Sequence, residues 1–266
     1  KMSGSGNDFI MLDGRANPVE QWAPERTPEL CDRRQGIGAD GLVFLTPEAP
    51  NGVRMTFFNC DGSRAAMCGN AALCSTTLAT YLEMSSPDGM TLVTDAGAFR
   101  TRINQASGEA ELNLPDFAPP SDVEGITRHG AERRLAATVV GVPHLVVLVD
   151  STSGEDLMLR GRELRSHSSF GSAGANVNFI SLRDGASDTP WDIRTYERGV
   201  EGETLACGTG TVAAAAVAVQ AGYGPAPIRM RTRSGRALSV SLSVGFDLVR
   251  NVWLAGEGRL VFQGVL

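Results

Sequence analysis

The sequence carries an internal repeat. Met55-Thr-Phe-Phe-Asn59 is followed, nine residues after Asn59, by Cys68-Gly-Asn and an apolar run; Arg194-Thr-Tyr-Glu-Arg198 is followed, nine residues after Arg198, by Cys207-Gly-Thr-Gly and another. Each half reads strand, polar loop, Cys-Gly, helix, the trace a duplicated domain leaves in a diverged sequence. A length of 266 residues accommodates two modest domains at roughly 150 residues each. Between Leu114 and Asp122 the run Leu-Pro-Asp-Phe-Ala-Pro-Pro-Ser-Asp holds three prolines, which fix φ and remove donors, so a connector and a domain boundary are expected there.

Period-two alternation is clearest from Leu238 to Val244, where apolar residues alternate with Ser239, Ser241 and Ser243. Further strands are expected at Phe9–Leu12, Leu42–Leu45, Met55–Asn59, Thr138–Val149 with a break over Gly141 to His144, Asn178–Leu182, Asp192–Glu197 and Leu260–Phe262. Two helices stand out. Gly69–Glu83 gathers Cys74, Leu78, Tyr81 and Leu82 on one face, and Thr209–Ala221 is an Ala/Val run, apolar nearly all round, closed by Gly222.

Composition narrows the function. No apolar run approaches the roughly 18 residues of a membrane span. The net charge of −6 is spread without a basic block, which argues against nucleic acid and for a small-molecule partner. Lys1 to Phe9 lack the apolar stretch of a signal peptide, and five cysteines are too few, and odd in number, for a disulfide scaffold, so reduced thiols and a cytoplasmic location are expected. Only Lys1 is a lysine, which argues against a pyridoxal phosphate Schiff base.

Attention falls on Cys68 and Cys207. A cysteine at a helix start sits among unpaired backbone N–H groups and the positive end of the macrodipole, which favours thiolate. A cysteine outside a disulfide is more often a small buried hydrophobe, but here two share one special context. Cys31, Cys60 and Cys74 lack it and read as structural, and the spacing Cys60, Cys68, Cys74 has no C-x₂₋₄-C pair, so no metal site is expected. Gly36-Ile-Gly38-Ala-Asp-Gly41 fits G-x-G-x-x-G but precedes a strand, which marks a turn. Gly208-Thr-Gly210 could cradle an anion, and without a nearby P-loop lysine a carboxylate fits it as well as a phosphate.

An amino acid whose carboxylate is held by the backbone N–H groups of Gly69, Asn70, Gly208 and Thr209 would have its Cα between two sulfurs. If one is thiolate and the other thiol, the first removes the Cα proton and the second protonates the opposite face, inverting the centre with no cofactor. The Cα–H is a very weak acid, so preorganised dipoles must stabilise the developing carbanion. His144, in Gly141-Val-Pro-His144, and Glu197 are candidates to accept a proton from a thiol. A lone histidine is otherwise a satisfied structural one.

Gly4-Ser-Gly-Asn7-Asp-Phe9, Phe58-Asn-Cys-Asp-Gly-Ser63 with Met67-Cys-Gly-Asn70, Pro143-His144, and Glu197-Arg-Gly199 with Gly202-Glu-Thr-Leu-Ala-Cys-Gly-Thr-Gly210 resemble diaminopimelate epimerases, a likeness that extends to Val261-Phe-Gln-Gly264. The resemblance implies an α+β fold of two similar domains, each a mixed sheet or barrel curled around a central helix, with the active site in the interdomain cleft. The domains would be 1–115, completed by a C-terminal strand near 257–266, and 116–256. It implies interconversion of L,L- and meso-diaminopimelate in lysine and peptidoglycan synthesis, with Cys68 and Cys207 as acid and base. Asn7, Asn59, Asn176, Glu197 and Arg198 would contact substrate, Arg198 through the distal carboxylate. Asn59 and Asn176 can equally be turn or cap residues. A homodimer is the candidate assembly.

The sequence departs from the family pattern at Ala71 and Leu73, where Gly and Arg are usual, at Val142, where many members have asparagine, and at Gly41, where some have glutamine. Gly199-Val-Glu201-Gly-Glu203 is one residue longer than the commonest form and puts an extra acid near the distal pocket. Losing polar groups relaxes discrimination. The alternatives are therefore a racemase for another amino acid on the same fold, a thiol redox protein, which the absence of C-x-x-C opposes, and a non-catalytic amino-acid-binding protein.

Overall fold

The computed structural model describes residues 1–22, 24–48, 51–154, 156–183 and 191–265. The chain divides into two compact units, Lys1–Asn113 with Ala255–Leu266, and Leu114–Leu254.

In the first unit the strands are β1 (Met2–Gly4), β2 (Asn7–Asp13), β3 (Gly41–Glu48), β4 (Gly52–Asn59), β5 (Arg64–Ala65), β6 (Met90–Thr94), β7 (Gly97–Ile103) and β8 (Ala110–Leu114); helix α1 (Thr27–Cys31) joins β2 to β3, and α2 (Gly69–Tyr81) lies between β5 and β6. In the second the strands are β9 (Ser121–Asp122), β10 (Glu132–Val140), β11 (Val142–Val149), β12 (Asn176–Leu182), β13 (Trp191–Glu197), β14 (Gly202–Thr204), β15 (Ile228–Arg231), β16 (Ala237–Val244) and β17 (Val249–Gly256), with α3 (Leu157–Arg165) between β11 and β12 and α4 (Gly208–Gln220) between β14 and β15. β18 (Arg259–Leu260) returns to pair with β1.

The duplication extends well beyond the letters that reveal it. β2 pairs parallel with β3, β3 antiparallel with β4, β4 parallel with β6 and β6 antiparallel with β7. In the same order, β11 pairs parallel with β12, β12 antiparallel with β13, β13 parallel with β15 and β15 antiparallel with β16. Each parallel pair is bridged by a helix, as a crossover connection requires.

The expected mixed sheet around a central helix is present in each unit. α2 packs against β1, β2, β3, β4, β7 and β18, and α4 against β10, β11, β12, β15 and β16. Encirclement explains why neither helix is amphipathic: Ala71, Ala72, Leu73 and Cys74 in α2, and Val212 to Ala216 in α4, are fully buried. Small side chains let the strands approach from several directions. The short outer helices close separate clusters on the far faces, Leu30 and Cys31 of α1 with Leu42, Phe44 and Phe58, and Leu164 of α3 with Val177, Phe179 and Tyr196.

Several expectations need correction. Residues 138–149 are not one strand broken over four positions but a hairpin, with Val140 opposite Val142 and the turn made by Gly141 at φ 71°. Pro143 and His144 therefore lie inside β11. Tyr81 is 59% exposed rather than on the buried face of α2. The proline-rich connector is strand-free only over 115–120, since Leu114 ends β8 and Ser121–Asp122 pair with Ala136 and Ala137. Gly36–Gly41 is a turn entering a strand, as its context indicates, with Gly38 at φ 77°. Among the described residues no helix is long and apolar enough to cross a membrane.

Candidate active site

Cys68 and Cys207 occupy equivalent positions. Each is the N-cap of a 13-residue enclosed helix, in extended conformation, with φ/ψ of −141°/124° and −127°/111°. The cap carbonyls accept the first helical bonds, from Ala72 N and Thr211 N, both at 2.9 Å. The amides of Gly69, Asn70, Gly208 and Thr209 fall before those bonds and have no intrahelical acceptor, so each cysteine stands beside a ready anion site. Cys68 is part-exposed and Cys207 is 9% exposed; none of the five cysteines is in a disulfide.

In the first unit a chain of polar side chains leads away from the start of α2. Asn70 Nδ2 donates to Asn7 Oδ1 at 2.7 Å, and Asn7 Nδ2 donates to Asp40 Oδ2 at 2.9 Å. Asp40 is held in turn by Arg33 Nη2 at 2.7 Å. Arg33 also pairs with Asp8, which Lys1 joins at 2.6 Å. Burial pushes the Asp8 carboxyl up, but Arg33 and Lys1 outweigh it and hold Asp8 below the ordinary carboxylate range. Asn7 and Asn70 are therefore joined directly, and Asp40, a residue missed by sequence reasoning, orients the pair.

Asn59 lies in a separate turn, donating through Nδ2 to Ser63 Oγ at 3.0 Å while its backbone N donates to Ser63 O at 2.8 Å. The turn-asparagine role is thus present.

In the second unit His144, fully buried on β11, places Nε2 3.1 Å from Thr209 Oγ1 and Nδ1 3.3 Å from Asn178 Nδ2. Thr209 Oγ1 is 3.7 Å from Cys207 Sγ. Burial, reinforced by the Arg198 charge and opposed by the Val140 carbonyl, pushes the His144 pKa down to about 3, so the ring is neutral at neutral pH.

Asn176 Oδ1 accepts the backbone N–H of Arg198 at 2.8 Å, fixing the main chain that carries the guanidinium. Among the described residues no acid pairs with the Arg198 side chain, which suits a group kept for an external carboxylate. Burial pushes the Glu197 carboxyl up, offset in part by the Thr204 hydroxyl. Asn178 also escapes sequence reasoning; the signal was Asn176-Val-Asn178, two asparagines on one face of a strand.

The departures from the family pattern have structural counterparts. A Cβ on Gly41 would collide with the Phe57 ring, so that ring fills the space another side chain would take. Leu73 is fully buried where a charge is usual. Glu201 does not present a free acid: Arg165 holds it bidentately, Nη2 to Oε1 at 2.7 Å and Nε to Oε2 at 3.0 Å, and Gly199 N donates to Oε1 at 3.1 Å.

The structure thus defines a duplicated α+β protein with a cysteine capping the enclosed helix of each repeat. Residues 1–114 and 136–245 match the family described as Diaminopimelate epimerase. The curated Diaminopimelate epimerase of Gemmatimonas aurantiaca is 45% identical over 212 residues, covering 79% of this chain and 75% of its own length. That of Chlorobaculum tepidum is 34% identical over 266 residues, covering 100% of this chain and 99% of its own. A phenazine biosynthesis protein of the PhzF family from Bacillus anthracis shares the fold, with a TM-score of 0.71 over 97% of this chain and 94% of that one at 15% identity. The chain belongs to the diaminopimelate epimerase family.

Proposed function

We propose that the chain interconverts L,L- and meso-diaminopimelate by two-thiol inversion at Cα, supplying lysine and peptidoglycan synthesis. The carrying observation is the equivalence of Cys68 and Cys207, each capping an enclosed helix whose first amides lack intrahelical acceptors. The substrate α-carboxylate binds the amides of Gly69, Asn70, Gly208 and Thr209. There the helix dipoles stabilise negative charge as it spreads from Cα into the carboxylate. One sulfur, as thiolate, takes the Cα proton; the C–H pair stays on Cα until the other thiol protonates the opposite face. Each turnover in one direction leaves the pair with exchanged protonation states, ready for the reverse.

Arg198, with its backbone fixed by Asn176, pairs with the distal carboxylate, and Asn7, Asn59, Asn70 and Glu197 complete the polar contacts. Burial raises the Glu197 carboxyl, which brings its acidity closer to that of a thiol with which it would exchange a proton. Cysteines outside any disulfide support a cytoplasmic setting. A homodimer is the assembly we propose, supported by the exposed apolar residues Tyr81, Leu260, Val261 and Phe262 of the first unit.

Phe57 beside Gly41, and Val142, favour one second reading, a racemase for another amino acid. Cα proton exchange in heavy water, followed by NMR under reductant with L,L-diaminopimelate beside single amino acids, separates the two. The Cys68→Ser, Cys207→Ser double variant is the control. Exchange with inversion only for diaminopimelate supports the first reading; exchange with another amino acid instead replaces it, and no exchange defeats both.

A further inference from the structure

Asn178 is fully buried between β11, β13 and the start of α4, and every polar atom of its amide is engaged. Nδ2 donates to Leu145 O at 3.1 Å, and Oδ1 accepts from Thr195 Oγ1 at 3.0 Å. A carbonyl can only accept, so the nitrogen must face Leu145, and this settles the orientation of the amide. The same nitrogen lies 3.3 Å from His144 Nδ1. An amide NH₂ can only donate, so this contact, as a hydrogen bond, takes the Nδ1 lone pair in preference to a ring N–H given to the Val140 carbonyl. The proton of a neutral imidazole then sits on Nε2.

Nε2–H points to Thr209 Oγ1 at 3.1 Å, and that oxygen accepts it. The hydroxyl has one proton of its own to place, and Cys207 Sγ is 3.7 Å away, within reach of a sulfur acceptor. The direction of donation therefore runs Asn178, His144, Thr209, Cys207. Gly210 keeps the path open, because a Cβ there would collide with Asn178 Oδ1 and lie 3.2 Å from Cys207 Sγ.

We propose that Thr209 is a catalytic residue that donates its hydroxyl hydrogen bond to Cys207 and holds that sulfur as the resting thiolate, with Asn178 as a positioning residue that sets the His144 tautomer. This rests on the two-thiol reading and assigns the roles within it: Cys207 begins as base and Cys68 as acid. When Cys207 takes the Cα proton, the S–H bond forms, the C–H bond breaks and its electron pair remains on Cα. No proton enters the chain. Thr209 keeps its hydrogen and only loses a stronger acceptor for a weaker one. His144, already protonated at the nitrogen facing Thr209, acts as a donor and not as a sink for the thiol proton.

Two measurements on the full chain without substrate test this independently of whether it inverts any amino acid. The first is a long-range ¹H–¹⁵N NMR correlation of the histidine side chains, with His144 identified by its loss in His144→Gln. An unprotonated Nδ1 and protonated Nε2 support the chain; a protonated Nδ1, directed instead at the Val140 carbonyl, overturns it. The second is the rate of alkylation at Cys207 by iodoacetamide, read by peptide mass spectrometry with exposed Cys60 as the internal reference. Thr209→Val should slow Cys207 about tenfold while Thr209→Ser stays close to the parent, since thiolate is the reactive form. An unchanged rate in Thr209→Val, or an equal fall in Thr209→Ser, overturns the proposal. Failure of Cα exchange with the two results intact would instead count against the two-thiol reading.

Discussion

Gly222 and Glu83 occupy the same left-handed position, one residue past the C-cap, in the two enclosed helices, with φ of 79° and 54°. The bonds around them match: Tyr223 N donates to Ala218 O at 3.1 Å and Gly222 N to Val219 O at 3.0 Å, while Met84 N donates to Ala79 O at 2.8 Å and Glu83 N to Thr80 O at 3.1 Å. Both are Schellman caps. One repeat uses the residue suited to the position and the other does not. An L-residue there costs about 1 kcal/mol or more, so Glu83→Gly should raise stability by about 1 kcal/mol and Gly222→Ala lower it by about as much. Urea unfolding of the two variants checks the signs.

The His144 ring should make the protein acid-sensitive. Its folded pKa of about 3 lies below the ordinary value of 6.5, so between those pH values the unfolded chain binds one proton that the folded chain does not. Stability present above pH 6.5 is lost as pH falls, by about 1.4 kcal/mol per unit for this group. Over pH 6 to 4.5, His144→Gln should flatten the fall relative to the parent. Parallel curves would show that His144 is not held neutral in the folded chain.

Gly210→Ala should destabilise despite the better helix propensity of alanine. The propensity gain is about 1 kcal/mol, whereas the methyl group must displace the fully bonded Asn178 amide, at a cost of about 1–3 kcal/mol before the broken hydrogen bonds are counted. Gly208→Ala, at the first helical position and part-exposed, should cost less. Thermal melts of the two variants compare them directly.

Cys68→Ser and Cys207→Ser should each reduce inversion by about 10² to 10⁴, because a serine hydroxyl is far too weak an acid to replace the sulfur. Substrate binding should survive, since the carboxylate is held by backbone amides. Calorimetric titration beside the exchange assay reads both; near-normal rates in both variants would rule out the two-thiol mechanism.

The duplication is legible in the sequence because the functional residues anchor it: Cys-Gly recurs at matched distance from a strand in both halves. The enclosed helices are legible because an Ala/Val run without a polar face has to be surrounded. Other parts are hidden for physical reasons. The outer helix Leu157–Arg165 buries Arg160 against Glu132 at 2.8 Å, so its charged letters mimic an exposed loop. Pro143 reads as a break, yet as the second residue of β11 it sits opposite Val139 in the hairpin. Among the candidate site residues the two cysteines, His144 and Thr209 stand out in the letters, but Asn178 and Asp40 do not. They act through other side chains, and such partners become visible only when the strands carrying them are laid side by side.

The central claim, that separate sulfurs remove and deliver the proton, is tested most directly by isotope partition in heavy water. L,L-diaminopimelate is sampled over the first few per cent of conversion, and deuterium at Cα is measured separately in the product and in unreacted substrate. Two sulfurs predict a meso product deuterated at the inverted centre while recovered substrate remains protiated. Deuterium appearing equally in both pools from the outset, or protium carried into the product, would mean that a single group serves both faces and would contradict the account.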